Sequence, residues 1–133
     1  MHFLKLILIV SIILMNPIPL SQEPLPVVIE QAEPQTVDLG EFKITAYCPC
    51  VKCCGKWANG ITSTGVTAQA NRTIAVDPKV IPYGSKVIIN GNEYVAEDCG
   101  GAIKGNRIDI YFDTHKEALQ WGVKYKEVKM LIE

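Results

Sequence analysis

Net charge is nearly absent from this chain: 13 Lys and Arg against 14 Asp and Glu leave a formal −1 over 133 residues. So balanced a sequence has no global field to draw it onto nucleic acid or an acidic membrane surface. Histidine is scarce, with only His2 and His115, and neither suggests a Cys–His pair for thiol catalysis. There is no GxxxxGK[ST] loop and no dinucleotide fingerprint, which removes the common nucleotide-binding classes. No internal repeat is found. Five cysteines are too few for a disulfide scaffold of this length. The longest apolar run, Leu6–Met15, is broken only by Ser11 and falls short of the roughly 18 residues of a spanning helix. What is present is a 48% hydrophobic composition, too apolar for a disordered chain and long enough for one domain.

The chain divides by composition. A basic start and the apolar run match the n- and h-regions of an export signal, closed by Asn16, Pro17 and Pro19. A clean A-x-A cleavage site is missing, so residues 1–20 are expected to be a signal peptide or an N-terminal anchor. Residues 16–40 hold five of the eight prolines and four acids; residues 21–40 are therefore expected to be a semi-rigid acidic tether. Residues 41–133 carry nine of the ten glycines, all five cysteines, and 12 basic against 10 acidic residues, a net +2.

In that last segment the hydrophobic period is mostly two. Strands are expected at Glu41–Tyr47, Ile74–Val76, Lys86–Ile89, Glu93–Glu97, Arg107–Phe112 and Lys124–Ile132. Asn90-Gly91 between two of them is a hairpin signal. One short helix is expected, opened by the capping box Thr114–Glu117 and stopped by Gly122. Six short strands, glycine turns and one helix predict a mainly β fold, a small barrel.

Alternation along Arg107-Ile108-Asp109-Ile110-Tyr111-Phe112 puts the Ile and Phe residues on the core face and Arg107, Asp109 and Tyr111 on the other. Asp109 is either a cleft acid or part of a solvated strand face. Glu97-Asp98-Cys99-Gly100-Gly101-Ala102-Ile103-Lys104-Gly105 is a glycine-rich loop whose backbone can approach a ligand. Asp77 precedes Pro78 at a strand end, a common turn arrangement.

Together, A-V-D-P…I-P-x-G-S, E-D-x-G-G-A-I-K-G and R-I-D-I-Y-F resemble the "three-Asp" (3D) domain, from about Phe42 to Leu131. This family includes the barrel of membrane-bound lytic transglycosylase A and stationary-phase muralytic proteins of Gram-positive bacteria. The resemblance implies a six-stranded double-psi β-barrel acting on peptidoglycan glycan strands, in an exported or cell-wall protein. It implies Asp109 as general acid/base, with Asp98 and Asp77 lining the cleft in support, and Thr64 and Gly65 near it. Gly100, Gly101, Lys104, Tyr111 and the loop residue Trp57 are the further candidates for substrate contact. No cofactor, metal or nucleic acid is expected, and membrane contact only through an uncleaved N-terminal segment. The implied reaction is lytic transglycosylation. A glycan hydrolase and a non-catalytic, expansin-like binding barrel are the alternatives.

The family pattern does not require Cys48, Cys50, Cys53 and Cys54. In an exported chain disulfides are the default, with Cys99 as a long-range partner for one of the four. Zinc held by the four clustered thiols is weighed below that, because their spacing departs from paired CxxC motifs. A catalytic Cys99 comes third. His115 is read as a first-turn helix residue rather than a ligand.

Overall fold

The computed structural model of the chain describes residues 11–133. Residues 1–10, which hold the start of the expected export signal, lie outside the described residues. The chain separates into two units, Met1–Gln31 and Ala32–Glu133. In the first, residues 11–31 carry no helix or strand, and apolar residues such as Ile12, Leu14 and Ile18 are exposed. Among the described residues no helix is long and apolar enough to cross a membrane.

The second unit is mainly β, with six strands and two short helices. The strands are β1 (Thr36–Tyr47), β2 (Thr73–Ala75), β3 (Lys86–Ile89), β4 (Asn92–Asp98), β5 (Arg107–Tyr111) and β6 (Lys124–Leu131). Each pairs with two neighbours, and the order β1-β5-β2-β4-β3-β6 returns to β1, so the strands close into a ring. Two contacts are parallel, β1 with β5 and β2 with β4, and the rest are antiparallel.

All six expected strands are present, with ends moved by a residue or so except at β1. There, residues 36–40 of the expected tether belong to the strand. Thr36 and Val37 pair with Leu131 and Met130, with a register shift between Asp38 and Gly40. β-Branched residues that find a partner strand outweigh the nearby prolines. The Asn90-Gly91 hairpin forms as expected, with φ of 52° and 79°, the two positive values a tight turn of this type requires.

The helix content differs from the expectation of a single helix. The expected one is α2 (His115–Trp121), opened by the Thr114–Glu117 capping box and stopped at Gly122. The unexpected one is α1 (Val51–Cys54), followed by a 3₁₀ turn at Gly55–Trp57. Its only signature is local, Cys53 and Cys54 amides donating to the Cys50 carbonyl. Four residues are too few to show a hydrophobic period.

Inside the ring, Phe42, Ile44, Ile74, Val76, Ile81, Val87, Ile89, Ile108, Ile110 and Val128 are almost fully buried. Each contributes about 1.5–3 kcal/mol by leaving water. Trp121 packs against this core from α2, and its indole N–H reaches the Ile44 carbonyl at 3.4 Å. With β1, β2, β4 and β5 fixed from within, their outward side chains near the ends of β1, β2 and β4 have settled positions.

Candidate active site

A cleft of about 680 Å³ opens where those strands end. Its geometry follows from register. Ala75 on β2 pairs with Asp98 on one side and with Asp109 on the other. The two aspartates therefore stand one strand either side of a methyl group, about 9–10 Å apart along the sheet at the Cα positions. On the far side of β5, Thr45 pairs with Asp109 and Tyr47 with Tyr111. Asp98, Asp109, Ala75, Tyr47 and Tyr111 all line the cleft.

The two carboxyl groups are held differently. Asp98 accepts four hydrogen bonds, from Tyr47 Oη (2.8 Å), Ser63 N (2.9 Å), Ser63 Oγ (2.7 Å) and Cys99 N (2.9 Å). Asp109 has one side-chain partner, Thr45 Oγ1 at 3.0 Å. Burial pushes the Asp109 carboxyl above its ordinary value; the Thr45 hydrogen bond and Arg107 pull it down, and the Asp98 charge adds to the rise. Tyr47 is also pushed up, by burial and then by Asp98, which keeps its phenol a donor. Tyr47 and Tyr111 meet edge to face at 5.4 Å. Arg107 Nε is buried with no hydrogen-bond partner.

Other residues singled out in the sequence fall on both sides of the cleft boundary. Gly100, Gly101 and Trp57 line it, and Trp57 is 69% exposed. At Gly100 a Cβ would come within 3.0 Å of the Ile103 side chain, so the loop is close-packed there. Thr64, Gly65, Lys104 and Asp77 are not among the lining residues. Thr64 ties its own loop to the Glu97 carbonyl through Oγ1 at 2.8 Å. Asp77 accepts the amides of Lys79 (3.1 Å) and Gly105 (3.0 Å), and these bonds hold its carboxyl below its ordinary value. It braces two loops.

Thr45, Ser63 and Ala75 were not singled out in the sequence. Thr45 and Tyr47 share a face of β1 by alternation, which is a readable signal. Ala75 and Ser63 have none, because their role depends on which strands meet.

The five cysteines are all free thiols, which corrects the expectation of disulfides. Cys99 lies beside Ser63 Oγ at 3.1 Å, not against the cluster. His115 is the first residue of α2, as expected, and its Nδ1 lies 3.5–3.6 Å from the sulfurs of Cys48, Cys50 and Cys53. These four residues are the group among the described residues that could hold a metal ion. Cys54 turns away, and its thiol donates to the Cys48 carbonyl at 3.1 Å.

Residues 72–132 match the 3D domain family. The cell wall-binding protein YocH of Bacillus subtilis is 49% identical over 77 residues, 55% of this chain and 27% of that protein. The putative cell wall shaping protein YabE of the same species is 41% identical over 108 residues, 78% of this chain and 26% of its own length. The chain thus spans about a quarter of the curated relatives it matches. Among solved structures, that of MltA from E. coli with bound chitohexaose is similar over 54% of this chain and 27% of the other, at 29% identity and a TM-score of 0.47.

Proposed function

We propose that this chain, which carries a 3D domain, is a cell-envelope protein that cuts peptidoglycan glycan strands by lytic transglycosylation. The observation that carries this reading is Asp109, its carboxyl raised by burial, facing the firmly anchored Asp98 across Ala75 in an open cleft. The wall-binding and wall-shaping names of its relatives support the envelope setting and the polymer. The closed ring with two parallel strand contacts supports a double-psi β-barrel. Residues 1–20 serve as export signal or anchor and 21–35 as tether.

A glycosidic oxygen leaves poorly until it is protonated, so the acid must keep its proton near neutral pH. An Asp in water, at about 3.9, does not; burial moves Asp109 in the required direction. Asp109 gives its proton to the bridging oxygen as the bond to C1 of N-acetylmuramic acid breaks. The C6 hydroxyl of the same sugar then bonds to C1, and its proton returns to Asp109. No water is consumed and a 1,6-anhydro end results. One proton-bearing carboxyl suffices, unlike the two working carboxylates of ordinary glycosidases. Asp98 supplies negative charge across the cleft and, through its four hydrogen bonds, a fixed wall. Gly100 and Gly101 let the glycan approach the backbone, and Trp57 offers a face for a sugar ring.

A second reading, glycan binding without cleavage, is favoured by the name of the wall-binding relative. Incubating the full chain with insoluble cell wall separates the two. Soluble anhydro-muropeptides, lost in Asp109→Asn, are expected. Co-sedimentation with the wall and no soluble product would establish the binding reading instead.

A further inference from the structure

Cys48, Cys50, Cys53 and His115 form a group that neither the proposed reaction nor the fold requires. We propose that they are a structural zinc site, a Cys₃His set that pins the α1 turn to the start of α2. The ligand atoms all lie within 4.8 Å of one another. Zinc–sulfur bonds of about 2.3 Å and a zinc–nitrogen bond of about 2.0–2.1 Å at tetrahedral angles put sulfur and nitrogen about 3.5 Å apart. The three Sγ–Nδ1 distances are 3.6, 3.5 and 3.5 Å. The same geometry sets sulfurs about 3.8 Å apart; Cys48 lies 3.4 Å from Cys53 and 2.8 Å from Cys50. Binding therefore spreads the Cys48–Cys50 pair by about 1 Å and leaves the imidazole where it is.

Thiolates and an imidazole are borderline-soft donors that suit zinc, and Cys₃His is an ordinary set for closed structural sites. Cys48 is buried, Cys50 half-buried and Cys53 exposed, so an ion has a way in. The two parts of the site lie 62 residues apart between Cys53 and His115, and a small fold gains most from a staple across so long a loop. Cys53, Cys54 and Trp57 also line the cleft. The ion would therefore fix one cleft wall without touching the glycan.

The test uses the full chain purified under reductant, with zinc measured by elemental analysis and native mass spectrometry. Cobalt(II) is the spectroscopic probe in the metal-free protein. One equivalent of zinc is expected, together with thiolate-to-cobalt charge transfer and the strong visible bands of tetrahedral cobalt. Cys54→Ser and Cys99→Ser should retain one equivalent. Cys50→Ser and His115→Asn should bind at least about tenfold more weakly, since losing a ligand exceeds the usual cost of losing a ligand's hydrogen-bond partner. The cobalt spectrum of the unaltered chain keeps the test sound if a variant fails to fold. Retention by His115→Asn with loss in Cys54→Ser would overturn the assignment in favour of four thiols. Fully reduced thiols that take up neither metal, or native chain with Cys48, Cys50 or Cys53 in a disulfide, would overturn the site altogether.

Discussion

The aspartate cleft and the cysteine–histidine cluster lie side by side, yet they are built on different principles. The cleft aspartates and their strand neighbours sit on strands whose opposite faces are buried in the core: Ile108 and Ile110 flank Asp109, and Ile44 precedes Thr45. Their positions are set by the pairing of the sheet. The cluster sits on a single turn and a helix start, with Cys53 exposed and no buried residue in α1. Packing holds buried Cys48 but little of Cys50 and Cys53, so the placing of those two thiols is the part that a bound ion would fix. The proposed acid chemistry thus rests on the part of the fold whose side chains are placed by strand pairing.

The contrast can be broken first at Asp98. Asp98→Asn removes the charge that helps raise Asp109 and alters a carboxyl with four donors. Activity on cell wall should fall about 10- to 100-fold. The high-pH limb of its profile, where Asp109 loses its proton, should move to lower pH. A limb that stays in place would mean the two aspartates do not communicate across Ala75.

Next in size is buried Glu97. Its Oε1 takes both Arg72 Nε and NH2, at 3.0 and 2.7 Å, and its Oε2 takes the hydroxyl of fully buried Thr73 at 2.8 Å. Glu97→Ala leaves that hydroxyl without this partner, while Arg72, half exposed, can turn to water. A loss of about 1–3 kcal/mol is expected in denaturant unfolding, and an equal stability of the variant and the parent chain would show that the Glu97 bonds are replaced by water.

A smaller, signed effect belongs to Asp109 itself. Its folded-state value is above the ordinary 3.8, so its contribution to stability is complete below 3.8 and fades as pH rises through the raised value. Asp109→Asn, which cannot ionise, should therefore gain on the parent chain between pH of about 4 and about 7. Unfolding curves at both pH values check the sign.

The smallest effect is expected at Asp77. Its value is lowered by the Gly105 and Lys79 amides, so its contribution holds above 3.8 and is lost as pH falls through the lowered value. Asp77→Asn should leave product release within about two- to threefold of the parent, a margin well under one decade in barrier terms. Its melting temperature should fall only slightly. A large loss of activity would return Asp77 to the cleft.

The same contrast explains what could be read from the sequence. Alternation in Arg107–Phe112 and the Asn90-Gly91 turn are local patterns, and both the strands and the outward face of Asp109 follow from them. Ala75 is different. Nothing about an alanine announces that it separates two aspartates; that depends on β2 lying between β4 and β5, a non-local pairing. His115 shows the same limit. In the sequence it is a first-turn residue of a capped helix, which it is, and only the closure of the ring brings its Nδ1 to three sulfurs. The early strand at residues 36–40 was hidden by its proline-rich neighbours and becomes visible only through its pairing with β6.

The central claim is that Asp109 carries one proton through a reaction that consumes no water. Digestion of cell wall in water enriched in heavy oxygen, by the parent chain and by Asp109→Asn, tests it most directly. The parent chain should release fragments with 1,6-anhydro ends carrying no heavy oxygen, and Asp109→Asn should release at least about 100-fold less, the usual contribution of a general acid. Heavy oxygen at the new sugar ends, or equal release by the two proteins, would contradict it.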